Sequence, residues 1–404
     1  MNETQNTPEL RFEGFTEPWG QRKVADVANR FDNLRVAVTA SLRVPGTTPY
    51  YGANGIQDYV EGSTHDGEFV LVAEDGANDL KNYPVRFVNG RIWVNNHAHV
   101  LQAKSEIADN KYLAYSISQV NIESLLVGGG RAKLNAEALM GINFYLPTFA
   151  EQKAIGDYFA AFDSLITLHQ CKHERLQHLK QALLRKMFPK PGELVPELRF
   201  DGFTEPWEER KFGEEFLFLR NNTLSRAELC DADGDVLDVH YGDVLIKYSS
   251  VIDITKANLP RIIDARKVSG CDSLHNGDVV IADTAEDETA GKCTELRGID
   301  NERVFSGLHT IPCRPRRIYA PGFLGHYLNS RAFRKQLFSM MQGTKVVSIS
   351  KTSMASTCLT VPSIAEQITI SETLSSIDSL IDLYRRKYER LLRLKQALLR
   401  KMFV

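Results

Sequence analysis

The chain contains itself twice. Residues 8–23 read PELRFEGFTEPWGQRK and residues 196–211 read PELRFDGFTEPWEERK, matching at 13 of 16 positions at an offset of 188. Residues 174–188 (ERLQHLKQALLRKMF) and 389–403 (ERLLRLKQALLRKMF) match at 13 of 15, at an offset of 215. The longer offset persists upstream. It pairs Gly128 with Gly343, Pro147 with Pro362, and Glu151-Gln152 with Glu366-Gln367. It also pairs Asp163-Ser164-Leu165-Ile166 with Asp378-Ser379-Leu380-Ile381, and Tyr112-Leu113 with Tyr327-Leu328. A repeat of this kind restricts the fold to two copies of one frame. The second copy carries about 27 extra residues, placed between residues 211 and 327. Near-identical ends thus bracket two middle segments of different sequence, 24–150 and 212–365.

The length of 404 residues suffices for two or three domains with cores of their own. Hydrophobic content of 43% and charged content of 25% are those of a globular protein, which excludes a disordered, fibrous or disulfide-scaffold chain. No apolar run approaches the ~18 residues of a membrane helix. The polar start MNETQNTPEL has no signal-peptide pattern. The cysteines (Cys171, Cys230, Cys271, Cys293, Cys313, Cys358) are scattered without a CxxC pair, which points to a reducing cytoplasm and makes no zinc site.

Both middle segments read as mixed, mostly strand. FVLVA (69–73) and VRFVNGRIWVN (85–95) in the first are β-branched and aromatic; GDVLIKY (242–248), GDVVIAD (277–283) and HTIPCRP (309–315) are strand candidates in the second. A helix is expected in each, over about 108–125 and about 321–341. Residues 151–188 and 366–403 read as long helices with apolar residues at steps of three and four. Leu176, Leu179, Leu183 and Met187, with Leu391, Leu394, Leu398 and Met402, mark a coiled-coil seam along which the two can pair. A helix of ~36 residues spans roughly 54 Å. Pro189 and Pro191 stop the first helix and begin the linker to the second copy.

Catalytic signatures are missing. The sequence has no GxxxxGK[ST], no Asn/Asp-Pro-Pro-aromatic tetrapeptide, no H-E-x-x-H and no G-x-S-x-G. Gly128-Gly129-Gly130 is read as a loop. His97 and His99 share one face of a strand, and packing or a polar contact outweighs a metal pair because no third ligand is near in sequence. The acidic stretch Asp283–Glu288 (DTAEDE) reads as a solvated turn. Catalysis is therefore expected in another chain, with no metal or cofactor in this one.

A frame written twice around two divergent domains and two long helices resembles the specificity (S) subunit of type I restriction–modification enzymes. PTFAEQKAIG (147–156) and PSIAEQITI (362–370) look like that family's Pro-x-x-x-Glu-Gln entry to each conserved helix, which the Asp-Ser-Leu-Ile and LKQALLRKMF segments continue. YYGANGI (50–56), EDG (74–76) and NNHAH (95–99) look like motifs of its target-recognition domains. The resemblance spans residues 8–403. It implies an α+β fold with two target-recognition domains, separated by a pair of long antiparallel coiled-coil helices and internally duplicated with pseudo-twofold symmetry. The implied segments are a first recognition domain at 8–150, a spacer helix at 151–190, a second domain at 196–365 and a second helix at 366–404.

The resemblance further implies a non-catalytic subunit that reads a split, non-palindromic sequence of double-stranded DNA. Two methyltransferase (M) subunits and ATP-driven endonuclease (R) subunits would join it. S-adenosylmethionine, ATP and Mg would sit on those partners. A bipartite protein-interaction scaffold and a stand-alone DNA-binding regulator are the rival readings.

The formal net charge of −2 is a sum over unlike parts. The segments 24–150 and 212–365 carry −3 and −1, whereas 151–190 and 366–404 carry +3 each. Phosphate affinity, sequence-independent and salt-dependent, is therefore expected to be weak for this chain alone. Base readers must occupy local patches on the variable domains. Gly129, Gly130, Arg131 and Lys133 form one Gly-led basic loop, and Gly343, Thr344, Lys345 and Ser348 form its equivalent. Glycine lets backbone approach DNA closely, and Arg and Lys reach phosphates or guanine edges. Tyr51, Asn54 and Asn78 are further candidates, because Asn can read adenine with two bonds. Lys247 and Tyr248 complete the set. The repeated Leu10-Phe12 and Trp19-Arg22 segments are read as packing that fastens the N-terminus and the linker near the helices.

Overall fold

The structure is a computed structural model describing residues 6–128, 132–231, 234–343 and 345–404. The chain forms two units, Met1–Gln170 with Arg386–Val404, and Cys171–Arg385. Each long helix is thus divided between units, so the units cut across a linear division of the sequence.

In the first unit the strands are β1 (Gly20–Lys23), β2 (Ala28–Arg30), β3 (Pro45–Gly52), β4 (Gly55–Val60), β5 (His65–Ala73), β6 (Val85–Val94), β7 (Ala98–Ala103) and β8 (Asn143–Leu146). The helices are α1 (Val24–Val27), α2 (Asn110–Ser118), α3 (Ala136–Met140) and the start of α4 (Phe149–Lys186). The six-stranded sheet has the order β2-β7-β5-β6-β3-β4, with β1 and β8 forming a separate pair. Central β5 is buried along Phe69–Ala73, as its continuous apolar run requires. The Asp109 side chain caps α2, accepting from Tyr112 N. That helix stops at Ser118, earlier than expected, and a 3₁₀ turn covers Ile122–Leu125.

In the second unit the strands are β9 (Glu208–Lys211), β10 (Phe216–Phe218), β11 (Leu229–Cys230), β12 (Val236–Val239), β13 (Val251–Asp253), β14 (Arg261–Ile262) and β15 (Val279–Ala282). They continue as β16 (Thr284–Ala285), β17 (Cys293–Arg297), β18 (Arg303–Ser306), β19 (Thr310–Pro315), β20 (Val347–Ser348) and β21 (Cys358–Val361). The helices are α5 (Phe212–Glu215), α6 (Tyr241–Ile246), α7 (Phe323–Leu328), α8 (Arg331–Phe338), α9 (Lys351–Ala355) and α10 (Ile364–Met402), whose C-terminal part belongs to the first unit. The expected strand at 242–248 is instead α6. His240 caps it by accepting from Gly242 N, and Asp243 sits in its first turn. A short apolar run alone does not separate strand from buried helix. The single helix expected over 321–341 is broken into α7 and α8, with Ser330 capping the second.

The two sheets share one plan. The order β10-β19-β15-β17-β13 repeats β2-β7-β5-β6-β3. In both, only the last pairing, β6 with β3 and β17 with β13, is parallel. The additional length of the second copy includes a four-stranded sheet, β11-β14-β12-β18.

The repeated frame makes the same contacts in each unit. Glu151, in the first turn of α4, is buried and accepts from Arg11 Nε (2.8 Å), Arg11 Nη2 (2.6 Å) and the Trp19 indole (3.2 Å). Glu366, in the first turn of α10, accepts from Arg199 Nε and Nη2 (both 2.8 Å) and the Trp207 indole (3.4 Å). Gln152 and Gln367 each donate to a proline carbonyl, Pro147 and Pro362, and accept from Asp109 N and Ala320 N. These bonds give the Pro-x-x-x-Glu-Gln pattern its physical content. The helix-entry carboxylate fastens the repeated segment, and the glutamine fastens the variable domain. The repeated segments are thus fasteners, as the sequence indicated.

The helix ends close the frame. Phe403 packs against Trp19 and Tyr112 in the first unit, and Phe188 packs against Trp207 and Tyr327 in the second. Leu10 N donates to Lys401 O at 2.8 Å, and Leu198 N donates to Lys186 O at 2.8 Å. Within each unit α4 and α10 run antiparallel. Asp163 pairs with Lys395 in the first; Lys180 pairs with Asp378 (2.5 Å) and His173 with Ile381 O (3.1 Å) in the second.

The seam departs from expectation at one repeated position. Leu176, Leu183, Leu391 and Leu398 are half-buried and Met187 and Met402 are buried, but Leu179 and Leu394 are exposed. The inward position is one residue on, at Lys180 and Lys395, only 17% and 18% exposed and each paired with an aspartate. The steps are therefore 176, 180, 183, 187, and a residue at 179 points about 100° away from the seam.

Candidate nucleic-acid interface

Register counting aligns the two sheets residue by residue. Ala73 lies opposite Ala98 in the first sheet, and Ala282 lies opposite Thr310 in the second. Just beyond, Glu74 N donates to His97 O (2.9 Å) and Asp283 N donates to His309 O (3.0 Å). The Gly-led loops then close on these strand ends. Leu134 N donates to Glu74 O (2.7 Å), and Ile349 N to Asp283 O (2.8 Å). Val127 bridges Lys133 as Gln342 bridges Ser348. Gly128 and Gly343 hold φ of 101° and 116°, a conformation that favours glycine. The two loops are the same loop in two copies.

Most candidates fall at two places in each unit, the Gly-led loop and a cleft, while Asn54 and Asn78 sit at the 76–78 turn. Gly129, Gly130, Arg131 and Thr344 lie outside the described residues. Lys133 is at the loop, its ammonium 2.7 Å from Glu74 and its side chain 45% exposed. Gly343, Lys345 and Ser348 are exposed on the equivalent loop. Tyr51 is half-buried against the β5–β6 core and lines a cleft of about 870 Å³ with Arg86, Lys111, Tyr115, Asp163 and Lys395. Lys247 and Tyr248 line a cleft of about 740 Å³ with Lys256, Arg297, Asp378 and Arg385. Asp163, Ser164, Ile166 and Thr167 line the first cleft, and Asp378, Ser379, Ile381 and Asp382, at the repeat offset, line the second.

Asn54 and Lys247 spend polar atoms on protein partners, and Tyr248 is buried. Asn54 donates to Gly76 O and accepts from Asn78 N, both at 2.9 Å, so both ends of its amide brace the 76–78 turn. Reading adenine would cost both bonds. The Asn78 side chain is exposed on that turn. Tyr248 is buried at 6% exposure beneath the Lys247 ammonium, which itself donates to Asn258 O. Burial raises the Tyr248 phenol well above its ordinary range.

His97 and His99 do not form a pair. His97 lies 2.5 Å from an Asp75 oxygen and is half-exposed. His99 is buried, with Nδ1 2.6 Å from Asp32 and Nε2 2.9 Å from Leu134 O. Asp32, Glu74 and His99 bring ligand atoms within 4.8 Å of one another. Protein cations already fill the space, since Arg35 lies 2.6 Å from Glu74 and 3.5 Å from Asp32, and Lys133 pairs with Glu74. Burial raises both carboxyls, but hydrogen bonds from His99 and Val100 to Asp32, and from Lys133 and Arg35 to Glu74, outweigh it and hold both below the usual range. The cluster anchors the loop's end. Sequence spacing missed it because Asp32, Glu74 and His99 lie on three segments that meet only when β7 pairs with β5.

Fold and frame define a protein built from two copies of one α+β frame, each including part of α4 and part of α10. Residues 16–178 match the family described as "Type I restriction modification DNA specificity domain". That match covers about two fifths of the chain, and over its full length the chain is similar to specificity subunits of type I restriction–modification systems. It is 41% identical over 165 residues to a putative type I restriction enzyme specificity subunit of Haemophilus influenzae, a match spanning 42% of that relative's length and 41% of this chain. It is 22% identical over 417 residues to the type I restriction enzyme MjaVIII specificity subunit of Methanocaldococcus jannaschii, covering 98% of this chain and 94% of that one. The fold is that of the S subunit from M. genitalium, at a TM-score of 0.68, 15% identity and coverage of 98% and 99%. A chain from a structure titled for complex assembly and conformational transition of the type I R-M system matches at a TM-score of 0.50 and 15% identity, covering 97% of this chain and 99% of that one. Among the described residues no helix is long and apolar enough to cross a membrane.

Proposed function

We propose that this chain is the DNA-reading, non-catalytic subunit of a cytoplasmic restriction–modification complex. Each unit reads one half of a split, non-palindromic target in double-stranded DNA. The observation that carries this reading is the shared five-strand plan with different residues on its loops. One scaffold presents two different chemistries. Base contacts specify while the scaffold positions.

Partner methyltransferase and endonuclease subunits perform the chemistry, with S-adenosylmethionine, ATP and Mg bound on them. Duplicated surface leucines support two copies of the methyltransferase. Leu165 and Leu380, Leu168 and Leu383, and Leu179 and Leu394 are all exposed at the repeat offset. Repeated apolar positions on a soluble helix mark an interaction surface. Methylome sequencing of cells expressing this chain with its methyltransferase partner tests the reading. The expected result is one motif of two dissimilar halves around a fixed unread gap. A continuous or palindromic motif refutes it. A protein-binding scaffold would shift no DNA at any salt.

A further inference from the structure

His97 and His309 occupy the same position in the two readers. Each follows from the register: one residue before the strand that pairs with the central strand, beside that strand's end. Each faces a carboxylate, Asp75 at 2.5 Å from His97 Nδ1 and Asp283 at 3.5 Å from His309 Nδ1. Both imidazoles reach solvent, with side chains 35% and 48% exposed. Each stands next to the Gly-led loop, since Asp75 bridges Lys133 and Thr284 pairs with Ser348. His309 holds a φ of 55°, unusual for a residue with a side chain. His309 also meets the Tyr241 ring edge-on at 5.3 Å.

The surroundings differ, yet the histidine is the same. Ala98 and His99 follow His97, whereas Thr310 and Ile311 follow His309. Contacts to the sugar-phosphate backbone carry no sequence information and can be shared by two domains that read different bases. An imidazole N–H that reaches solvent can donate to a phosphate oxygen. We infer that His97 and His309 are equivalent backbone clamps, each contacting a DNA phosphate beside the Gly-led loop of its reader. The inference rests on the DNA-reading function proposed above.

The test uses the full chain co-purified with its methyltransferase partner, at pH 6. The probes are a duplex carrying the mapped target and one of equal length with both halves scrambled. His97→Gln and His309→Gln should each weaken binding about five- to tenfold on both duplexes. Each should also reduce the slope of log K against log salt by about 0.9. His97→Lys and His309→Lys should retain the slope. A loss confined to the target duplex makes these base contacts and overturns the inference, as does unchanged binding. Weakened binding with an unchanged slope assigns the histidines a folding role and also overturns it. A wild-type complex that does not prefer the target duplex refutes the DNA-reading function itself, a separate outcome.

Discussion

Replacing Glu151 by Ala breaks the first unit's fastener at its most buried point. The Glu151 side chain is 0% exposed and that of Arg11 is 14% exposed, so the variant strands a guanidinium with little access to water. It also orphans the Trp19 indole N–H. Removing one partner of a buried ion pair costs about 3–5 kcal/mol; the partial exposure of Arg11 argues for the lower end, about 3 kcal/mol. An unpaired indole N–H adds about 1 kcal/mol. A loss of about 3–4 kcal/mol lowers the midpoint of a unit this size by roughly 6–16 °C. Glu366→Ala should cost the same in the second unit, because Arg199 is 13% and Glu366 1% exposed. Tryptophan fluorescence separates the units during a melt, since Trp19 and Trp93 lie in the first and Trp207 alone in the second. Glu151→Gln, which keeps an acceptor, should lose about half as much. If both alanine variants shift their midpoints by less than about 3 °C, the buried fasteners are not what hold the repeated segments.

Asp238 is buried with Oδ2 unpartnered among the described residues, and burial raises its carboxyl to about 7. A raised carboxyl favours the folded state fully below the unfolded value near 3.9, and that contribution is lost as pH rises to about 7. Asp238→Asn should raise the second unit's stability above pH 7 by about 1–3 kcal/mol and flatten its pH dependence, read by denaturant titration. Some slope will remain, because burial also raises Glu295 to about 7. Leu179→Glu and Leu394→Glu should leave the melting temperature within about 2 °C of wild type, since both positions are exposed. They should abolish co-purification with the methyltransferase; intact complexes would refute that docking surface. Joining Phe403 to Leu10 with the residues 189–197 and opening the chain there should give a folded, active permutant, because Leu10–Lys401 repeats Leu198–Lys186. A permutant that aggregates would show that the two closures are not equivalent.

The frame was legible because it is written twice. Arg11, Trp19 and Glu151 recur as Arg199, Trp207 and Glu366, and each side chain meets the same partners in both places. The β5, β6 and β15 strands were legible from their β-branched and aromatic runs, whereas α6 was not, because VLI serves a helix as well as a strand. Leu179 shows the limit of periodicity. A step of three and a step of four both look like a seam, and only the Lys180–Asp378 pair shows which was used.

By itself the sequence determined the duplication, the helix pair and the location of the variable segments, since these follow from identity and period along one chain. It could not align the interiors of the variable segments, because their residues differ and insertions slide the offset. Tertiary structure decided that. Strand register is a spatial quantity, and Ala73 opposite Ala98 and Ala282 opposite Thr310 place His97 and His309 at one structural position. It also decided that His99 joins Asp32, Glu74 and Arg35, since a buried charge must find its partners wherever the chain brings them.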